Sequence, residues 1–408
     1  MRLAVVSPFV DRRHGTERAL SELVERLVRA EDCEIHLYAQ SVEDLALDQP
    51  VAPRLQDSGA LYWHKVPSTP GPHLLKFVLW LFLNSVCRAW DRLVHGLHFD
   101  LVLSPGINCL DADVIIVHVL FHRLRELARA EKDEASRPGF FRRLHRGAYY
   151  ALLTGMEGRI YGDPRVALAA VSSRTAKLLA GTFHREDVQV ISNGVDTAQF
   201  SPSARLALRA GARRRRNLQE QDFVLLLMGN DWRVKGLETV LEAIAALRSS
   251  PFHLIIAGED SPDSFRECAR RLDILERCHF EPPRANVLDF YAAADLYVCP
   301  SREDSFGLPV AEAMACGLPA VTSVHAGVAE LIREGIDGFI LQEPADVQAL
   351  ARILNLIHAD EALRNKIGEA AAKAAQQWTW DRNAADMWEL LNDAAMRNCQ
   401  GPLGKTSA

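Results

Sequence analysis

The chain has 408 residues, 48% hydrophobic and 25% charged, with a formal net charge of −6; this length exceeds one comfortable core and predicts two domains of an ordinary globular protein. A negative net charge argues against a general nucleic-acid binder. Eight cysteines without a C-x-x-C pair suggest neither a zinc site nor a disulfide framework, and their apolar surroundings suit a reducing cytoplasm.

Residues 3–6 read as a first buried strand rather than as a signal peptide. The loop at 9–16 leads into His14-Gly15-Thr16-Glu17-Arg18, and Leu20, Leu23, Val24, Leu27 and Val28 then recur at a helical period. Residues 33–38 return as a strand. This βαβ opening predicts a doubly wound sheet, which binds ligands beyond the carboxyl ends of its strands. Gly15 at the helix start would let the backbone approach a phosphate, or serve only as a turn residue. The most hydrophobic window, 74–86, contains Lys76 and Asn84 and falls short of the roughly 20 apolar residues of a membrane span. It reads as a core helix or as one dipping into a membrane surface.

Residues 99–103 and 113–119 read as further strands, with His118 near the carboxyl end of the second and His122 one helical turn on as the competing candidate. Residues 137–161 open with basic and aromatic side chains. Arg142, Arg143 and Arg146 can share a helix face, either solvated or in contact with anionic lipid or a phosphorylated acceptor. Residues 166–172 and 188–192 complete the alternation, and Asn193-Gly194 signals a turn. Residues 203–221, with Arg213 to Arg216, read as an inter-domain linker carrying a short helix and a solvated arginine face.

A buried strand at 223–228 starts the second half. The loop Gly229-Asn230-Asp231-Trp232-Arg233-Val234-Lys235-Gly236 follows, then a helix at 237–247. Two cations beside a helix start, an end that already repels positive charge, make sense with an anion between them. A diphosphate fits, with Arg233 giving bidentate bonds and Lys235 a point charge. Strands are expected at 252–257, ending at Gly258, and at 278–281, followed by Pro282-Pro283-Arg284. The unit at 295–321 reads as strand, loop, helix, strand, with Pro309 in the first helical turn and Gly317 past its end. Asp304 in the loop and Glu312 in the helix lie eight residues apart. Sugar hydroxyls are suitable donors to such carboxylates, and the helix start is a seat for an anion. A helix at 327–332, a strand at 338–341 and a helical remainder from 347 close the chain.

The stretch from Cys299 to Thr322 closely resembles the carboxylate-x7-carboxylate signature of retaining, nucleotide-sugar-dependent glycosyltransferases of family 4, with the GT-B fold. Asp304 stands where the family usually has Glu, with Glu303 beside it. Arg233 and Lys235 resemble the family's donor-phosphate pair, and Asn193-Gly194-Val195-Asp196 its exit from the first domain. His14-Gly15-Thr16-Glu17-Arg18 resembles its Gly-Gly-x-Glu-Arg run without the first glycine.

The resemblance implies an α/β chain of two doubly wound Rossmann-like domains facing a cleft. These are an acceptor domain at 1–200, a donor domain at 201–378 and a helix at 379–408 crossing back to the first. It implies retaining, metal-independent hexosyl transfer from a nucleotide diphosphate sugar to a saccharide or lipid-linked acceptor of the cell envelope, with no cofactor. His118, Asp304 and Glu312 would be catalytic. Gly15, Thr16, Asn230, Arg233, Lys235, Gly258, Arg284, Ser305, Phe306, Gly307, Leu308 and Glu312 would bind the donor. Within the site Arg233 and Lys235 would meet the leaving-group charge, Glu312 the ribose, and Asp304 and His118 the sugar. The expected place is the cytoplasm, with a peripheral contact at the inner face of the membrane left open. A sugar-nucleotide epimerase of the same architecture and a catalytically silent nucleotide-binding subunit are the alternatives.

Overall fold

Two parallel sheets dominate the structure, a computed structural model that describes residues 1–12, 15–30, 33–43, 45, 60–130, 140–247, 251–284 and 286–400. His14, Arg137 and the side chains of Arg142, Arg143 and Arg146 lie outside the described residues. The chain groups into two units, one of Met1–Ile191 with Asp381–Ala408, the other of Ser192–Trp380.

The first unit runs β1 (Arg2–Val6), β2 (Phe9–Val10), α1 (Gly15–Ala30), β3 (Glu34–Ala39), β4 (Ser41–Val42), β5 (Ala60–Lys65) and α2 (His73–Val94). It continues β6 (Leu101–Pro105), β7 (Val114–Val117), α3 (Phe121–Ala130), α4 (Phe140–Tyr161), β8 (Ala167–Ala170), α5 (Ser173–Phe183) and β9 (Gln189–Val190). Its parallel sheet has the order β5-β3-β1-β6-β7-β8-β9, so the winding reverses between β1 and β6. Leu3 to Val6 of β1 are fully buried, as a central strand covered on both faces requires. The sequence gives no plain signal for β5. It is an edge strand, with Trp63 and His64 only partly covered and Lys65 exposed at its end.

The second unit runs α6 (Pro202–Arg214), β10 (Phe223–Met228), α7 (Leu237–Ala246), β11 (Phe252–Ala257), α8 (Asp263–Arg271), β12 (Cys278–Glu281) and α9 (Leu288–Ala293). Then come β13 (Leu296–Val298), α10 (Leu308–Ala315), β14 (Ala320–Ser323), β15 (Phe339–Leu341), α11 (Val347–Ala359) and α12 (Glu361–Ala375). Its sheet order is β12-β11-β10-β13-β14-β15, with the reversal between β10 and β13. All six residues of β10 are buried, and α7 turns Leu237, Val240, Leu241 and Ile244 onto the same core. The last helix, α13 (Trp380–Gln400), begins in this unit and belongs to the first from Asp381 onward.

Two local expectations change. Residues 327–331 form a 3-10 turn rather than an α-helix. The arginines at 213–216 are not a solvated face. Arg213 and Arg216 lie three apart on one side of the chain and are buried, while Arg214 and Arg215 are exposed. Arg213 donates to the carbonyls of Ala293, Gln219 and Asp222 at 3.0, 2.6 and 2.6 Å. Arg216 pairs with Glu281 at 2.5 Å and Asp289 at 2.9 Å. Buried guanidinium groups persist when their terminal nitrogens find acceptors, and here the acceptors of Arg213 and Arg216 fasten the end of α6 to α9.

Gly194 explains the Asn-Gly pair at the start of this unit. A Cβ there would stand 2.3 Å from the backbone nitrogen of Trp380. Val195 donates to the carbonyl of Trp378 at 2.7 Å in the same close approach of two chain segments.

Candidate active site

The loops after β10 and β13 leave the second sheet on either side of its reversal, where doubly wound sheets open a crevice for ligands. Gly236 lets them meet. Its φ is +79°, and a Cβ on it would lie 2.3 Å from the carbonyl oxygen of Pro300. Beside it Arg302 donates its backbone N–H to the carbonyl of Val234 at 2.7 Å. The two loops are thus joined along their backbones, and their charged side chains follow.

Lys235 Nζ lies 2.5 Å from Asp304 Oδ2. Burial would push the Lys235 ammonium down, but the carboxylate of Asp304 and the neighbouring Cys299 more than offset it, and its pKa is raised. The ammonium therefore stays charged at neutral pH. Asp304 is itself fixed, its N–H donating to the carbonyl of His325 at 3.0 Å and its carbonyl accepting from Gly327 at 2.9 Å. Glu303 sits half-buried beside it. Arg233 Nη2 is 3.7 Å from Glu238 Oε1, and Arg302 Nη2 is 3.3 Å from Glu238 Oε2, so one acid of α7 stands between two guanidinium groups. Arg302 and Glu238 carry no signal of their own in the sequence, because each is an ordinary charged residue until the loops meet.

Gly307 begins α10 in the left-handed region at φ +98°, and a Cβ there would meet Val328 at 3.1 Å and Asp304 Oδ2 at 3.7 Å. The amino end of α10 is thereby set against Asp304, adding the partial positive charge of a helix start to that of Lys235. Phe306 and Leu308 are buried on either side and Ser305 is half-buried. Glu312 lies deeper, 2% exposed, where Tyr291 donates its hydroxyl to Oε2 at 2.7 Å. Burial, followed by the charge of Glu312, raises the Tyr291 pKa far above its ordinary value, so the phenol remains a donor.

The rest of the expected donor set divides. Asn230 Oδ1 accepts the N–H of Glu259 at 2.8 Å and ties the loop after β10 to the one after β11. Gly258, at φ +150°, permits the same approach, since a Cβ on it would stand 2.0 Å from the carbonyl oxygen of Gly229. Arg284 belongs to the ion network of α6 and α9. It pairs with Glu281 at 2.7 Å and its guanidinium lies 5.5 Å from the centre of the Phe290 ring. Gly15 is exposed and Thr16 half-buried at the start of α1 in the first unit. Among the described residues, no group of three or more His, Cys, Asp or Glu side chains is gathered as metal ligands would be.

In the first unit the two histidine candidates separate. His118 follows β7 directly and is 7% exposed, and burial pushes its pKa down to about 4, so the ring is neutral at physiological pH. His122 is held instead by α4, its Nδ1 2.6 Å from Glu157 Oε2. Glu157 also accepts the backbone N–H of Phe121 at 2.6 Å and of His122 at 2.9 Å, capping α3. Glu157 carries no plain signal in the sequence, because its role depends on the start of α3, 35 and 36 residues away.

Comparison with known proteins covers almost the whole chain. Residues 13–199 match the family described as Glycosyltransferase Family 4, and residues 209–374 match Glycosyl transferases group 1. A D-inositol 3-phosphate glycosyltransferase of Salinispora arenicola is 31% identical over 93% of this chain and 87% of its own length. The structure of WaaG, a glycosyltransferase involved in lipopolysaccharide biosynthesis, superimposes with a TM-score of 0.71 at 22% identity, covering 96% of this chain and 98% of that one. Anabaena HepE in complex with UDP-glucose superimposes with a TM-score of 0.70 at 18% identity, covering 96% of this chain and all of that one, 100%.

Proposed function

Since the chain belongs to the family 4, group 1 glycosyltransferases of GT-B fold, we propose that it moves a hexosyl group from a nucleotide diphosphate sugar to a saccharide or lipid-linked acceptor, with retention at the anomeric carbon and without a metal. The observation that carries this reading is the contact of Lys235 with Asp304 at the reversal of the second sheet. It puts a cation suited to a diphosphate beside a carboxylate suited to sugar hydroxyls, and a diphosphate sugar presents both groups within one short ligand.

In this reading Lys235 and Arg233 hold the diphosphate and take up its charge as it leaves, the electrostatic contribution that usually dominates such catalysis. Asp304 turns from Lys235 toward the sugar hydroxyls and fixes the donor for attack. Glu312, oriented by Tyr291, receives the ribose. His118, neutral and at a strand end, holds the sugar as a donor or acceptor rather than as a charge. Relatives carry names that fit this class. The Salinispora protein is named for an inositol phosphate acceptor, and HepE was crystallised with UDP-glucose.

A panel of UDP-, GDP- and ADP-sugars, screened by thermal shift and then by slow hydrolysis, tests the reading. One member should raise the melting temperature and be hydrolysed with the anomeric configuration kept, as read by NMR, with or without EDTA. Isomerisation of the donor without an acceptor would identify an epimerase. Binding with no turnover across acceptors would identify a silent subunit.

A further inference from the structure

Helix α2 carries apolar side chains on two opposite faces, one packed in the core and one exposed. At 3.6 residues per turn, roughly 100° per residue, Trp80, Asn84, Arg88 and Asp91 share one face. Leu75, Val78, Phe82, Val86, Trp90 and Leu93 share the opposite one. The inward face packs Trp80, Phe77, Leu81 and Cys87 against the core and also carries polar residues that are bonded there. Asn84 is fully buried and donates to the carbonyl of Trp80 at 2.7 Å. Arg88 is buried and forms two bonds of 2.7 Å to Asp111. Asp91 accepts from Tyr38 at 2.7 Å and lies 2.8 Å from His64. The other apolar face is turned outward, with Phe82 63%, Trp90 61% and Leu93 83% exposed.

The outward face of a solvated helix carries amides and charges instead. Single exposed hydrophobics are normal, but a continuous stripe over about five turns marks a surface meant to be covered. The charges beside the stripe say by what. Lys76 and Arg92 are exposed and flank it on opposite sides, while the only acid of the helix, Asp91, faces inward. The outward surface is thus apolar and cationic with no acidic side chain, and its tryptophan is of the type that favours the boundary between lipid and water. No described helix is long and apolar enough to cross a membrane.

We infer that the outward face of α2 docks the chain on a membrane surface rich in anionic phospholipid. The helix lies in the plane of the interface, with Phe82, Val86, Trp90 and Leu93 among the acyl chains and Lys76 and Arg92 at the phosphates. The polar contacts of its inner face then have a purpose. With the core packing of Trp80, Phe77 and Leu81 they hold α2 to β3, β5 and the 108–111 loop, so its outward apolar residues are not needed to seat it. This docking uses no residue of the candidate active site, so it stands or falls apart from the proposed transfer.

The test is flotation of the full chain with vesicles of phosphatidylcholine and phosphatidylglycerol in a ratio of 3 to 1. The unaltered chain should float. Phe82→Ser with Trp90→Ser should lower partitioning about tenfold or more, the scale expected for two buried aromatics. Lys76→Glu with Arg92→Glu should weaken binding to these vesicles and not to pure phosphatidylcholine. Brominated lipid should quench the unaltered protein's emission, and Trp90→Phe should remove that quenching, a readout that needs no destabilising change. Absence of flotation at low salt overturns the inference. So does flotation that survives Phe82→Ser with Trp90→Ser but vanishes in about 1 M salt, where the screening length is near 3 Å, since a basic segment would then be the anchor. A dimer that forms without vesicles and is dispersed by the same double change would assign the face to a second copy of the chain.

Discussion

Lys235 and Asp304, 69 residues apart in sequence, meet at 2.5 Å because Gly236 has no side chain to keep the loops after β10 and β13 apart. Each has the other as partner, so altering one alone leaves a half-buried charge unpaired. Lys235→Ala should lower transfer by about 2–4 kcal/mol of transition-state stabilisation. Asp304→Ala should nearly abolish transfer while leaving nucleotide diphosphate binding largely intact, and Glu303→Ala should be mild. Single-turnover transfer and calorimetry with the free nucleotide diphosphate separate these effects. If Glu303→Ala is inactive and Asp304→Ala active, the carboxylate assignment is off by one residue.

The Tyr291–Glu312 bond predicts a split between two substitutions at one position. Glu312→Gln keeps an acceptor for the Tyr291 hydroxyl, so the fold should hold while nucleotide affinity falls. Glu312→Ala removes that acceptor and leaves the hydroxyl only the longer contact to the carbonyl of Pro309, 3.2 Å, so stability should fall by part of the about 1–3 kcal/mol that an unpaired buried hydroxyl costs. Chemical denaturation of the two variants, beside nucleotide titration, should show equal loss of binding and unequal loss of stability. Equal stability would mean that the carbonyl of Pro309 suffices as the acceptor.

What the sequence discloses and what it hides divide along a physical line. Central strands such as β1 and β10 are continuous apolar runs because both faces are covered, and they are legible from composition alone. The loop residues Arg233, Lys235 and Asp304 are legible because their types are odd for their local setting. Edge strand β5 and the buried arginines 213 and 216 are not, since their coverage depends on neighbours distant in sequence. Tyr291 and Glu157 belong to the same class. Each is an unremarked residue whose meaning comes from a carboxylate or a helix end supplied by another element.

Gly236 offers a purely geometric prediction. Gly236→Ala would put a Cβ 2.3 Å from the carbonyl oxygen of Pro300 at a backbone φ of +79°. The loops must part, and strained left-handed backbone adds roughly 1–3 kcal/mol. The variant should therefore lose stability and transfer together. Gly335→Ala, also at positive φ but with open space around its Cβ, is the control. It should lose stability only and leave transfer intact, as measured by thermal unfolding and turnover on the same preparations.

His118 carries a pH dependence with a definite sign. Burial lowers its pKa to about 4 from an ordinary 6.5. In the unfolded chain the ring takes up a proton below pH 6.5, whereas in the folded chain it does so only near 4. Its contribution is therefore fully present above pH 6.5 and is lost as the pH falls from 6.5 toward 4. At about 1.4 kcal/mol per pH unit, the whole window amounts to at most about 3.5 kcal/mol. His36, His64, His253 and His279 are also lowered, so the fall seen in the unaltered chain alone cannot be assigned to one ring. The comparison that isolates it is the difference in unfolding free energy between the unaltered chain and His118→Gln. That difference should shift in favour of the variant as pH drops from 7 to 4.5, and the His118 ring proton should show no titration by NMR above pH 5. A ring that titrates near 6.5 would mean that His118 is open to water, and its proposed place as a neutral contact of the sugar would fall with it.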